Sequence, residues 1–251
     1  MKLKNRNTPR LYIYSELKEE FVKLSSDRLH YIRNVLRLVK GNKIILFNGM
    51  GQEKECEIVE ISNKEVAIKI NKELEPLKES DQKITLIQGM PRSGVMDNII
   101  QKVTELGIYE IYPIFTEFSI IKFKEKDIKK RLDHWEKVSH SACEQSGRHT
   151  PLKINKPQKI KYFLNEINHG DIKLVFHPSS TSLNFSEIST LKVPTKYISV
   201  IIGPEGGLSD SDLKIIIDKK FKMISLGPRL LRVETAAISA CSLIKNKWGD
   251  L

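Results

Sequence analysis

The period of the apolar positions changes once along this chain. From Lys43 to Asn71 short alternating runs, KIILF, KECEIVEI and EVAIKI, are separated by the turn-formers FNGMG and SNKE. That is the pattern of an antiparallel meander or small β-barrel. Ahead of it, Leu29, Ile32, Val35 and Leu36 recur at helical spacing between Ser26 and Val39, with Gly41 as the stop, and predict one helix. NKELEPLKESDQ, residues 71–82, is polar, carries Pro76 and has no period. A linker is therefore placed at 73–82, between a first domain at 1–72 and a second at 83–251.

Past the linker, strands alternate with helices, which predicts an α/β domain with a mostly parallel sheet and helices on both faces. The strand candidates are KITLIQG, IYEIYPIF, DIKLVFH, YISVIIG and KMISLG. Amphipathic helices are read at Val95–Gly107 and Lys126–Gly147. Ser209 with Asp212 three residues on, directly before Leu213, Ile216 and Ile217, has the spacing of a capping box. A last helix, from about Val233 to Lys247, carries the small residues Ala236, Ala237, Ser239 and Ala240, so its face can approach another backbone closely.

The chain has 251 residues, 40% of them hydrophobic, enough for sizeable cores. No apolar run approaches the roughly 18 residues of a membrane span, and no hydrophobic stretch follows the charged start MKLKNRNTPR; a cytoplasmic protein is expected. Cys56, Cys143 and Cys241 are odd in number and far apart, and the six histidines show no ligand spacing. Neither a disulfide framework nor a metal site is implied, and the cysteines read as small apolar side chains. The formal charge of +11 favours a polyanionic partner, nucleic acid first, although a lysine-rich surface also arises from composition bias. Residues 1–72 hold 15 Lys/Arg against 9 Asp/Glu, the denser basic share.

Two stretches carry candidate chemistry. In ISVIIGPEGGLSDSDL, residues 198–213, a buried strand ends in Gly203-Pro204-Glu205-Gly206-Gly207 and enters the capped helix. A plain strand-to-helix turn needs one glycine; three let the backbone touch a ligand where open α/β sheets bind them. In LGPRLLRVETAAISA, residues 226–240, the design repeats: strand end, Gly227-Pro228, then a helix led by Glu234 and Thr235. Arg229, Arg232 and Glu234 are charges in an otherwise apolar segment, either an internal Arg–Glu pair pinning the loop or the wall of a pocket. No GxxxxGK[ST] is present, and FNGMGQEK lacks the third glycine of a dinucleotide fingerprint.

GPEGGLSDSDL and LGPRLLRVETA, preceded by QKVTELG at 101–107 and EQSGR at 144–148, resemble the ribosomal RNA small-subunit methyltransferase E family, the 16S rRNA uridine N3-methyltransferases. PRLYIY followed by RLHYIRNVLRLVKGNKIILFNGMG resembles that family's N-terminal PUA-like RNA-binding domain, so the resemblance spans nearly the whole chain in order. It implies a C-terminal SPOUT domain with a trefoil knot, a homodimer, and S-adenosyl-L-methionine as cofactor, with no metal. It implies cofactor contacts from Gly203, Glu205, Gly206 and Gly207 in one loop and Leu226, Gly227, Leu231, Arg232, Glu234 and Thr235 in the other, with Phe176 and His177 approaching the adenine. MPRSGVMD at 90–97 departs in holding Arg92 where the family prefers Lys.

For that chemistry a cation must favour the deprotonated imide of the uracil, which is unpaired or flipped out. Arg232 is the first candidate, with Arg148 and Arg92 in reserve. Glu234 either accepts the N3 proton or orients an arginine. His149 is set aside as a satisfied structural residue. Arg10, Arg28, Arg33, Arg37, Lys40 and Arg92 are the expected RNA contacts, interleaved in the first domain with Tyr12, Tyr14 and Tyr31, which either stack on bases or belong to the barrel core. A different acceptor, such as a ribose 2′-hydroxyl, and a non-catalytic rRNA-binding assembly factor are the competing readings.

Overall fold

The computed structural model describes residues 8–120, 123, 125–166, 170–179, 182–188 and 196–251. They form two compact units, one of residues 1–79 with 143–151, the other of residues 80–142 with 152–251. The first contains β1 (Arg10–Tyr12), β2 (Phe21–Ser25), α1 (Ser26–His30), β3 (Lys43–Phe47), β4 (Glu53–Ile61) and β5 (Glu65–Leu74). They make a curled five-stranded sheet in the order β1-β3-β4-β5-β2, with β1 parallel to β3 and the other pairings antiparallel. Leu11, Ile32, Ile44, Leu46, Cys56, Ile58, Val66 and Ile68 fill its core.

Two expectations change in this unit. The predicted helix 26–39 is only α1, continued by a π-helical turn at Tyr31–Val35. The wider turn carries Val35 off the apolar stripe to 58% exposure, and Arg37 follows with φ +52°. The intended linker begins late, because β5 runs to Leu74, where Glu73 and Leu74 still pair with Lys54 and Glu53.

The second unit contains β6 (Lys83–Gly89), α2 (Val95–Glu105), β7 (Glu110–Phe115), α3 (Glu125–Ser146), whose residues from Cys143 on group with the first unit, β8 (Lys153–Ile154), β9 (Gln158–Lys159) and α4 (Ile160–Glu166). It continues through β10 (Ile172–Phe176), β11 (Leu183–Asn184), α5 (Phe185–Ile188), β12 (Tyr197–Ile202), α6 (Asp210–Asp218), β13 (Lys222–Ser225) and α7 (Val233–Trp248). The sheet is parallel throughout, in the order β11-β13-β10-β12-β6-β7-β8, with β9 also on β7.

A sheet covered on both faces explains the unbroken apolar runs. On one face Ile84, Leu86, Leu174 and Val200 pack with Ile99, Ile100 and Val103 of α2 and Ala237, Ala240 and Cys241 of α7. On the other, Ile87, Ile114, Val175 and Ile201 pack with Phe163 of α4 and Ile216 of α6. The small residues of α7 thus let it sit close against the sheet. Burial pushes the Cys143 and Cys241 thiols up to about 12, in keeping with inert filler. Among the described residues no helix is long and apolar enough to cross a membrane.

Candidate functional site

Parallel strands put all their carboxyl ends along one edge, and there the chain leaves β6, β10 and β12 side by side. A crevice of ≈ 480 Å³ opens at that edge, within the range of small-molecule sites. Phe176 and His177, at the end of β10, form part of its lining. Ile202, Gly203, Pro204, Glu205, Gly207 and Leu208 supply one wall, Leu230, Leu231, Arg232, Val233, Glu234 and Ala236 another, and Arg92, Val95 and Pro178 complete it. Leu226 and Gly227 line an adjoining lobe of ≈ 60 Å³ with Ser225 and Arg229.

The first wall exists because glycine is where nothing else fits. A Cβ on Gly89 would stand 2.5 Å from Pro204 Cδ and 2.8 Å from the Gly203 carbonyl carbon, so the end of β6 touches the loop backbone to backbone. Gly207 turns the loop with φ +76°, its N–H donating to the Pro204 carbonyl at 2.8 Å. The loop then enters α6 through the expected capping box: Ser209 Oγ accepts from Asp212 N at 3.1 Å, and Asp212 Oδ2 from Ser209 N at 3.4 Å. Glu205 Oε1 accepts from Arg92 N at 2.9 Å and so holds the turn before α2 against the crevice.

The second wall turns on Gly227, at φ +104°, and ends at Arg232, whose extended backbone starts α7. Arg232 is exposed, and neither it nor Glu234 makes an ion pair or side-chain hydrogen bond among the described residues. An internal Arg232–Glu234 pair pinning the loop is therefore not what the structure holds. His177 N–H donates to the Ile224 carbonyl at 3.0 Å, while its Nδ1 is buried without a partner among the described residues. Burial holds its imidazole below the usual histidine range, opposed by the charge of Asp210.

Most of the sequence-derived cofactor residues thus come together, but two line neither the crevice nor its adjoining lobe. Gly206 turns toward Phe118, whose Cβ would lie 2.9 Å from an added Cβ. Thr235 is exposed, rotated away on the first turn of α7 while Val233, Glu234 and Ala236 face inward. Arg92, expected at RNA, lines the crevice instead. Val95, Pro178, Leu208, Leu230, Val233 and Ala236 were not singled out; only the helical spacing of Val233 and Ala236 signals them.

The remaining candidates lie in the first unit. Arg148 is 8% exposed and its Nε donates to Glu79 Oε1 at 3.1 Å, which makes it a buried structural cation; it is not among the crevice residues. Arg10 pairs with Glu53 and lies over the Phe47 ring, 4.6 Å from its centroid. Arg28 Nη1 donates to Glu144 Oε1 at 3.2 Å, and burial raises that carboxyl above its ordinary range. His149 Nε2 accepts from Gly51 N at 2.8 Å, while its buried Nδ1 has no hydrogen-bond partner among the described residues and stands 3.7 Å from Glu53 Oε2, so the expected full satisfaction is met at one ring nitrogen only. Arg33 donates to Asn63 Oδ1 at 3.4 Å, while Arg37 and Lys40 are exposed. Tyr14 is 67% exposed, Tyr12 is half-buried and edge-on to Phe47, and Tyr31 packs on the core, so the tyrosines divide between surface and core. Among the described residues no cluster of three or more His, Cys, Asp or Glu could hold a metal.

Two family profiles match the chain: an RNA methyltransferase domain over residues 78–245 and an RNA methyltransferase PUA domain over residues 24–71. The Ribosomal RNA small subunit methyltransferase E of Buchnera aphidicola, from the pea-aphid strain, is 34% identical over 249 residues, 99% of this chain and 97% of the relative. A Legionella pneumophila methyltransferase solved with its cofactor SAM superposes with a TM-score of 0.90 at 33% identity, covering 97% of this chain and 99% of that one. The Neisseria gonorrhoeae Ribosomal RNA small subunit methyltransferase E, bound to S-adenosyl methionine, gives 0.86 at 28% identity over 96% and 98%. With matching profiles over most of its length and relatives aligned nearly end to end, the chain belongs to the ribosomal RNA small subunit methyltransferase E family.

Proposed function

We propose that this protein methylates small-subunit ribosomal RNA with S-adenosylmethionine as donor, at N3 of one uridine. The observation that carries the reading is the crevice itself: two glycine-built loops at the ends of β12 and β13, the strands that flank β10, with an arginine on its wall that has no ion-pair partner among the described residues. Its residues fit the donor. The apolar walls of Phe176, Ile202, Leu231 and Val233 suit a nucleoside, and the partnerless Nδ1 of His177 leaves one buried polar atom for a ligand to satisfy.

Phe176, His177, Gly203, Glu205, Gly207, Leu226, Gly227 and Leu231 would hold the donor, which supplies a methyl group already activated on sulfur. The protein's own work is alignment and charge placement. Arg232, exposed and without a carboxylate partner among the described residues, would favour the deprotonated imide by stabilising charge on the two uracil carbonyl oxygens. Glu234, free of Arg232, is left to accept the N3 proton. Arg148, occupied by Glu79, drops out of the catalytic set. The same reading carries a homodimer, a trefoil knot in the C-terminal unit, a cytoplasmic location, and RNA contact through exposed Arg33, Arg37 and Lys40.

The test is labelled donor with small-subunit particles from cells lacking the activity, followed by mass spectrometry of the nucleosides. One 3-methyluridine per particle is expected. A methylated ribose 2′-hydroxyl would move the acceptor, and no transfer with tight RNA binding would leave an assembly factor.

A further inference from the structure

Helix α3 carries four lysines that hold no ion pair among the described residues. Lys126, Lys129, Lys130 and Lys137 are exposed on one side of the helix, opposite Leu132, Trp135 and Val138, which pack on the core. With Asp133 and His134 they enclose a shallow basin of ≈ 470 Å³. None of the four lysines has a carboxylate within ion-pair distance among the described residues, whereas nearby Lys156 pairs with Glu125 at 3.1 Å. His134 is turned to Asp97 of α2, at 2.8 Å. Three of the four lysines lie in the first two turns, at the positive end of the helix dipole, where cations are disfavoured. Local rules broken without a compensating contact mark functional surface.

Topology gives this surface its direction. α3 follows β7, so its first turns lie at the carboxyl edge of the parallel sheet, the edge on which the crevice opens. The chain reaches it from the turn at Thr116–Ser119, where Phe118 lies against Gly206 and Glu117 N–H donates to Asp212 Oδ2 at 3.1 Å. From Lys126 to Lys137 the row runs about 16 Å along the helix axis, long enough to follow several phosphates of one strand.

We infer that this lysine face of α3 is a second RNA-binding surface, on the catalytic unit, which grips the phosphate backbone beside the target nucleotide. The inference rests on the RNA-methyltransferase reading above. The four ammonium groups act as point charges that displace counterions and read no sequence. Asp133, in the middle of the row, limits the field and gives a handle for strengthening it.

The experiment uses the full chain and small-subunit RNA, with affinity measured across a salt series. Each neutralised phosphate contributes about 0.7 to the slope of log K against log salt for single-stranded RNA. The Lys126→Gln/Lys129→Gln/Lys130→Gln/Lys137→Gln variant should therefore lose about 3 from that slope, keep its melting temperature and donor affinity, and be restored by arginine at the four positions. Asp133→Lys should steepen the slope by about 0.7. An unchanged slope in the glutamine variant, or weaker RNA binding that tracks a loss of donor affinity, overturns the inference while the unaltered enzyme's activity keeps the functional reading intact. Salt-steep binding to polyglutamate that RNA does not compete away assigns the face to an acidic protein and overturns it too. If the unaltered protein transfers no methyl to small-subunit RNA, both fall together.

Discussion

Gly89→Ala is the sharpest probe of how the crevice is built. An added Cβ would meet Pro204 Cδ at 2.5 Å, Pro204 N at 2.6 Å and the Gly203 carbonyl carbon at 2.8 Å, distances that real Cβ atoms essentially never show. Two of the three atoms are backbone, so no rotamer change relieves them, and strand and loop must separate. Overpacking of this kind costs roughly 1–3 kcal/mol, toward the upper end where backbone is the obstacle. Alanine's smaller unfolded-state entropy returns about 0.4–1 kcal/mol, which leaves a net loss of about 2 kcal/mol. For a unit of this size that lowers Tm by roughly 4–8 °C. Displacement of the 203–207 loop should also weaken donor binding about tenfold, the equivalent of 1.4 kcal/mol. The comparison is Gly206→Ala, whose added Cβ would meet Phe118 Cβ at 2.9 Å and the Phe118 carbonyl oxygen at 3.3 Å, so that the turn at Phe118, 46% exposed, rather than the end of β6 must shift. Calorimetric melting and donor titration of both variants decide it: if Gly89→Ala melts and binds like the unaltered protein, close backbone contact is not what shapes this wall.

Arg232→Ala should cost about 10²–10³ in kcat, the loss typical of one charge-stabilising donor, with Tm unchanged because the side chain is exposed; near-normal transfer removes Arg232 from the mechanism. His177 has a folded pKa held below its unfolded value, so its contribution is fully present above about pH 6.5 and is lost as pH falls through the folded pKa. Melting of the unaltered protein and His177→Gln should accordingly run parallel above that pH and converge below it, and a constant gap counts against the assignment. Lys245 is 2% exposed and paired with Asp250, so Asp250→Asn should destabilise by about 1–3 kcal/mol while Lys245→Met is close to neutral, measured by denaturant unfolding. Equal losses in both would mean that the lysine stem, not the charge pair, holds the C-terminal turn.

What the sequence made legible was local. The capping box at Ser209 and Asp212, the glycines at strand ends and the apolar runs of β6, β10 and β12 each follow from neighbours a few residues apart, and the crevice follows from them. Elements whose signal is weak were missed: β1 is three residues long, β2 alternates along an edge with no fully buried side chain, and α4 is preceded by Gln158 and Lys159 rather than by Ser, Thr, Asp or Asn. The helix read through Val39 failed because apolar spacing cannot tell a π-helical turn from an α-helical one. The order of parallel strands is set by crossovers, which leave no trace in periodicity. The posts of Arg10, Arg28 and Arg148 depend on Glu53, Glu144 and Glu79, partners 43, 116 and 69 residues away in sequence. Exposure and pairing of individual charges are decided at that range, which is why the RNA candidates thinned out once their carboxylates were located.

The return of residues 143–151 to the first unit has a consequence for biosynthesis. The amino-terminal sheet emerges first from the ribosome, yet Glu144, Arg148 and His149, which satisfy Tyr12 N, Glu79 and Gly51 N, are translated much later. At roughly 5–20 residues per second the nascent sheet waits several seconds for them. Maturation of the first-made half is thereby timed by synthesis of the second, and a chain stalled before residue 143 should be a ready substrate for chaperones and proteases.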